Sequence, residues 1–320
     1  MKHMNWKKHI ALALAAAMSL TLLSGCGGAK TAETPAPTES QAPVEQSAAP
    51  ATKDYSEMTL EELKPLLELA NPGKLTVATS PDFAPYEFYA LDENGQNPTL
   101  SGFDVALAGY VADYLGLELE IVPIDFDGVL MEVQNKTADL GMAGLSPDPK
   151  RMGIMDFTEI YYKGGQSFVC LQSNKDQFTD LASTNKPEFQ IGAQIGSIQV
   201  DLMQANSPDA TQIQLSKVTD IVAELLGGKM DGAYIETAVA ESYAINYPEL
   251  CVLLDVPYEA AEGSAIGVKK DSPALLAAVN LAIKAVLEDG SMDKFVADAN
   301  ELAAGQTYEG LLDANGNTQG

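Results

Sequence analysis

Apolar residues recur along this chain with different spacings, and each spacing predicts a different kind of segment. From Ile10 to Leu23 they run almost unbroken, behind a lysine-bearing start and ahead of the small residues Ser24 and Gly25 and then Cys26. A run that short, flanked that way, predicts a secretory signal rather than a membrane-spanning helix. The following "GGAKTAETPAPTESQAPVEQSAAPATKD" has almost nothing large and apolar to bury, so 27–55 is expected to be a disordered tether. Residues 56–73, with "MTLEELKPLLELA", predict a short helical lead-in.

From Lys74 onward the pattern is that of a folded domain. "KLTVATS" and "LELEIVPI" predict strands, with "FDVALAGYVADYLG" between them at helical spacing and closed by a glycine. "FDGVLMEVQNKTA" predicts a helix and "DLGMAG" a buried strand. The alternation then restarts: "SFVCLQ", "FQIGAQIGS" and "MDGAYIE" as strands, "IQVDLMQA" and "VTDIVAELLGGK" as helices, and a strand and two helices in "GSAIGVKKDSPALLAAVNLAIKAVLEDGSMDKFVADA". Such alternation predicts two α/β lobes, each built on a mainly parallel sheet, with binding loops at the carboxyl ends of the strands. About 265 residues are enough for two separate cores.

Charge narrows the function. The formal net charge is -26, and it becomes more negative once Lys2, Lys7 and Lys8 leave with the signal. Such a surface disfavours nucleic acid, which needs clustered cations. Both histidines, His3 and His9, lie in the signal, so the mature chain lacks the usual metal ligand and general base. Neither a metal nor another cofactor is expected. Cys170 and Cys251 are no disulfide framework; they can pair, but two separate buried thiols are expected.

Arg151 is the only arginine in the chain. A guanidinium suits a planar, two-pronged grip on a carboxylate. Taken alone, a single arginine is equally compatible with surface charge.

Six motifs in register decide between these. "VATSPDFAPYEF", "GFDVALAGYVADYLGLELEIVPIDFDGVL", "ADLGMAGLSPDPKR", "MDFTEIYY", "IGAQIGS" and "MDGAYIE" resemble, in order and spacing, the polar amino-acid solute-binding proteins of bacterial ABC importers. The resemblance covers about Lys74 to Ala303. It implies a type II periplasmic-binding-protein-like clamshell, with lobe 1 from 74–165 and 264–305, lobe 2 from 166–263, and a tail over 306–320. The two crossover strands are expected near "GGQSFVCLQ" and "PYEAAEGSAIG". "LSGC" resembles a lipobox, which implies that Cys26 is lipidated and that the protein is anchored on the extracellular face of the cell membrane.

The resemblance also implies a ligand site. Arg151 stands where the family grips the ligand's α-carboxylate, and Glu236 where an acid, more often aspartate, takes the α-ammonium. Gly144 and Ser146 match partners of the same groups. Gln194, Ser197 and Ile198 fall in the turn that offers amides at a helix start. Phe83 and Phe126 match aromatic walls. Ser80 departs from the pattern, since amide- and base-selective relatives often carry aspartate there; Asp82 stands two places on as a substitute. The implied partners are a free amino acid, neutral or polar, and an ABC permease, with the protein a monomer and not an enzyme. A dehydratase-like cleft enzyme and a ligand sensor remain the alternatives.

Overall fold

The computed structural model describes residues 54–92, 94–258 and 263–306. The expected signal, Cys26, nearly all of the tether and the tail beyond 306 lie outside the described residues, as do residues 259–262 of the second expected crossing. The first half contains α1 (Leu60–Leu63), β1 (Lys74–Thr79), β2 (Asp82–Phe83), β3 (Glu87–Ala90), β4 (Thr99–Ser101), α2 (Phe103–Leu115), β5 (Glu118–Pro123), α3 (Phe126–Gln134), β6 (Leu140–Gly141) and β7 (Met155–Tyr162). Then come β8 (Gln166–Leu171), β9 (Gln190–Gln194), α4 (Ile198–Asn206), β10 (Thr211–Leu215), α5 (Val218–Leu226), β11 (Gly232–Glu236), α6 (Thr237–Asn246), β12 (Leu250–Asp255), β13 (Ser264–Lys269), α7 (Pro273–Glu288) and α8 (Ser291–Ala303).

Periodicity explains most of these. In α2 the buried Phe103, Leu107, Val111 and Leu115 recur every fourth residue on one face, and Gly116 ends the helix at φ 73°, in the left-handed region that glycine enters without strain. The lead-in is fixed by its cap, since the amide and hydroxyl of Thr59 both donate to the Glu62 carboxylate, at 2.9 and 2.8 Å. Asp139 ties that segment to the sheet. Its carboxylate accepts from the amides of Ala70 and Thr76, at 2.8 and 3.0 Å, and pairs with Lys269 at 2.7 Å, both side chains almost wholly buried. Removing one partner of such a pair costs about 3 to 5 kcal/mol.

Two five-stranded sheets organise the lobes. One has the order β5-β1-β6-β13-β7 and the other β10-β9-β11-β8-β12. In each, four strands run in one direction, while β13 in the first sheet and β8 in the second run antiparallel to both of their neighbours. Each sheet is therefore mainly parallel in strand direction, as expected from the alternation, with one reversed strand. The physical reason is the chain path: β8 and β13 each follow a passage from the other sheet, so they enter from the end at which the parallel strands finish. Gln166, opening β8, accordingly lies beside Glu236, closing β11. A small antiparallel sheet, β2-β3-β4, completes the first lobe. That sheet, β10, α6 and β12 are not among the elements predicted from pattern; β2 is only two residues long, and the apolar residues of α6 are not gathered on one face.

Candidate functional site

The carboxyl ends of the parallel strands and the loops after them bring the two lobes together. Arg151 follows the β6 loop in a 3-10 turn and is 7% exposed. Its Nη1 donates to the carbonyl of Ser146 at 3.2 Å, and its Nη2 crosses to the carbonyl of Gly196 in the second lobe at 3.1 Å. The guanidinium carbon sits 5.4 Å from the centre of the Phe126 ring. Phe126 thus covers the arginine, a cation–π contact, as well as opening α3. Burial lowers the arginine's proton affinity and Asp148 opposes that, so it stays charged.

Gly196 belongs to the turn before α4. Ser197 occupies the N-cap position, yet its hydroxyl donates to the Gln194 carbonyl at 2.7 Å instead of capping the helix. The first turn of α4, starting at the buried Ile198, therefore presents amides without a side-chain cap next to the guanidinium.

The loop carrying Gly144 and Ser146 is held from below. The amide of Gly144 donates to Asp104 Oδ2 at 3.1 Å. With φ of 56°, and with Phe83 Cε1 2.7 Å from where a Cβ would lie, position 144 admits no larger residue without a shift. Burial lifts the Asp104 carboxyl to about 6, against the Gly144 amide, which favours the charged form.

Glu236 is 3% exposed. Its Oε2 accepts from the Val239 amide at 2.9 Å, capping α6, and its Oε1 accepts from the Tyr86 hydroxyl of the first lobe at 3.2 Å. The Tyr86 hydroxyl in turn accepts from Ser264 Oγ at 3.2 Å. Burial pushes the Glu236 carboxyl up to about 7, against the amides and the tyrosine hydroxyl that favour its charged form. Ser146, Gly164, Gln166, Glu236, Tyr258 and Ser264 enclose a cavity of about 140 Å³. A Cβ at Gly164 would stand 2.6 Å from Glu236 Oε1, so a larger residue there would displace the carboxyl.

Ser80, Asp82 and Gln194 form a separate network. Ser80 Oγ donates to Asp82 Oδ1 at 2.7 Å. Asp82 Oδ2 accepts from Gln194 Nε2 at 3.1 Å and from the Val218 amide, the first of α5, at 2.5 Å. Tyr243 donates to the Asp82 carbonyl at 3.1 Å. A first-lobe carboxyl thus caps a second-lobe helix. Burial raises it to about 6, opposed by the Ser80 and Val218 bonds.

Of the expected site residues, Ser146 and Glu236 line the cavity, while Arg151, Phe126, Ser197 and Ile198 do not line it and gather at the start of α4, linked to it through the Ser146 carbonyl. Phe83 packs on Tyr86 at a centroid distance of 5.4 Å, and Ser80 and Gln194 serve the Asp82 network. Tyr86, Gln166, Tyr258 and Ser264 were not singled out; the only local signal was the "PYEF" tyrosine and the "GG" of the first crossing. Among the described residues no group of three His, Cys, Asp or Glu side chains could hold a metal ion, and no helix is long and apolar enough to cross a membrane.

The model of bacterial extracellular solute-binding proteins, family 3, matches residues 75–298. The chain belongs to that family. Among family members, the arginine-binding extracellular protein ArtP of Bacillus subtilis is 33% identical over 226 residues, 69% of this chain and 84% of its own. The amino acid ABC transporter substrate-binding protein AbpA of Streptococcus pneumoniae, solved with L-arginine, superposes with a TM-score of 0.69 at 30% identity, covering 77% of this chain and all of the other. A cyclohexadienyl dehydratase of Pseudomonas aeruginosa is 26% identical over 191 residues, 59% of this chain and 69% of its own. The family's two-lobe architecture is thus this chain's architecture, and the relatives compared are mostly named as binding proteins.

Proposed function

We propose that this family 3 protein captures a free amino acid in its cleft and delivers it to an ABC permease, from an anchor at Cys26 on the outer face of the membrane. The single observation that carries the reading is the placement of Arg151: the only guanidinium in the chain is buried between the lobes, one nitrogen facing each, beside the uncapped start of α4. An α-carboxylate set there takes two parallel N–H donors and helix amides. Glu236, on the cavity wall, then takes the α-ammonium.

The ligand is compact and neutral or polar. The acid two places from Ser80 is already committed to Gln194 and Val218, so it offers nothing to a cationic side chain. The cavity of about 140 Å³ lies well below the roughly 300 Å³ at which pockets for larger ligands begin. This reading departs from the ligand in the names of the arginine-binding relatives. A thermal-shift screen tests it: alanine, serine and glutamine should raise the melting temperature more than arginine or histidine at equal concentration. Arginine or histidine giving the largest rise would overturn the compact neutral ligand, and no response to any amino acid would overturn capture itself. For the anchor, Cys26→Ser should move the protein from the membrane to the soluble fraction.

A second reading rests on Glu236. A buried carboxyl near pKa 7 with a tyrosine hydroxyl on one oxygen is half protonated at neutral pH and suits a proton donor. Incubation with prephenate-like substrates and detection of an aromatic product tests that alternative.

A further inference from the structure

Cys170 and Cys251 stand directly opposite each other on the antiparallel strands β8 and β12. Two residues along the ladder from Cys170, the Gln172 amide donates to the Glu249 carbonyl at 2.7 Å, which sets the phase. The cysteines are then a hydrogen-bonded pair, with Cα atoms about 5.5 Å apart and side chains on one face. That separation falls within the range a disulfide bridges, roughly 4.4 to 6.8 Å. Both thiols pack in the same cluster with Phe168 and Phe178, Cys170 fully buried and Cys251 half-buried. Burial, and after it the neighbouring Cys251, push the Cys170 thiol up to about 12. Both thiols are free in the structure, as expected, and the register sets them side by side. The two strands also have a special place in the chain: β8 begins one residue after the Gly164–Gly165 crossing, and β12 ends just before the chain returns toward β13.

We propose that Cys170 and Cys251 are a redox pair that closes to a cross-strand disulfide by exchange with a small-molecule or protein disulfide, bracing the two strands that join lobe 2 to the crossings. The Cys251 thiolate, the more accessible, attacks one sulfur of the donor and releases the first donor thiol. Cys170 then loses its proton and attacks Cys251 Sγ in the mixed disulfide, releasing the second. Two protons and two electrons leave the protein, and the donor disulfide departs as two thiols. Side chains of a hydrogen-bonded pair stand about 5.5 Å apart at Cβ, wider than a relaxed disulfide prefers, so the bond is readily reduced again. An exported chain meets such donors, although the test does not depend on export.

The test treats the full chain with oxidised glutathione, blocks remaining thiols with an alkylating agent under denaturing conditions, and maps peptides without reduction. The expected product is a linked peptide pair containing Cys170 and Cys251, lost on mild reduction, with a melting temperature roughly 5 to 10 °C above the reduced protein. Cys251→Ser, at the half-buried position, should fold, form no link and show no oxidant-dependent rise. The proposal is overturned if both cysteines are recovered alkylated after excess oxidant, or if Cys251 accumulates glutathione while Cys170 stays free.

Discussion

Two buried carboxyls mark the places where the lobes meet, and their surroundings give them different tasks. Asp82 has both oxygens taken by protein donors, from Ser80 in its own lobe and from Gln194 and Val218 across the cleft. Glu236 accepts from its own helix and from Tyr86 across the cleft, but it also forms part of a cavity wall beside Ser264 and Gly164. Equal burial and similar upward shifts do not make equal roles. What separates them is whether any open space adjoins the carboxyl. Asp82 joins the lobes to each other, while Glu236, in the function proposed, closes them on a ligand.

Arg151 supplies the largest expected break in that contrast. Arg151→Lys keeps the charge but replaces two parallel donors by a compact, strongly hydrated one, so calorimetric titration should show ligand affinity falling about tenfold to a hundredfold. Affinity equal to the parent's would remove the arginine from the carboxylate site.

Glu236→Gln should weaken binding by about tenfold and also alter its pH dependence. In the ligand-free protein the carboxyl sits near 7, and an ammonium needs it ionised. Affinity of the parent should therefore rise from pH 5 through 7 and flatten above about 8, whereas the glutamine variant should show no such rise. A parent profile that falls with pH would contradict the pairing.

Asp82→Asn sharpens the other half. Its neutral amide oxygen is a weaker acceptor from Gln194 and Val218 than the carboxylate, and its NH2 faces Ser80 where an acceptor stood, so the ligand-free protein should open, with a larger radius of gyration in small-angle scattering and several-fold weaker binding. Asp82, Asp104 and Glu236 all have folded-state values raised above their unfolded ones, to about 6, 6 and 7, so their contribution is full in acid and is lost as pH rises through those values. The melting temperature of the ligand-free parent should fall between pH 5 and 8, and less steeply in Asp82→Asn. An unchanged radius and slope in the variant would sink the latch.

The smallest effect is expected at Lys150. Its 2.7 Å pair with Asp201 also joins the lobes, but at an exposed place. Lys150→Ala should change affinity by less than about 1 kcal/mol, and less still in high salt. A loss as large as that of Arg151→Lys would mean that surface charge, not buried contacts, holds the cleft shut.

Much of the fold was legible locally. The fourfold spacing of Phe103, Leu107, Val111 and Leu115 is a property of one segment, and it predicts α2 wherever the chain later packs it. The motifs around Arg151 and Glu236 were legible in the same way, as residue types at fixed intervals. The two-residue β2 and the α6 helix were not, because one is too short for a period and the other spreads its apolar residues around its circumference.

By itself the sequence determined most of the longer strands and helices, the family, the single guanidinium and the confinement of both histidines to the first nine residues, since each depends on near neighbours or on composition. Only the tertiary structure decided which groups those residues meet. Asp82 finds Val218 across 136 positions, Tyr86 finds Glu236 across 150, and Cys170 comes to face Cys251, because a buried carboxyl or thiol is partnered by whatever the packed lobes bring within about 3 Å. Periodicity carries no record of such pairings. It constrains a segment's own face, whereas a bond between distant segments depends on how the faces of several elements close together.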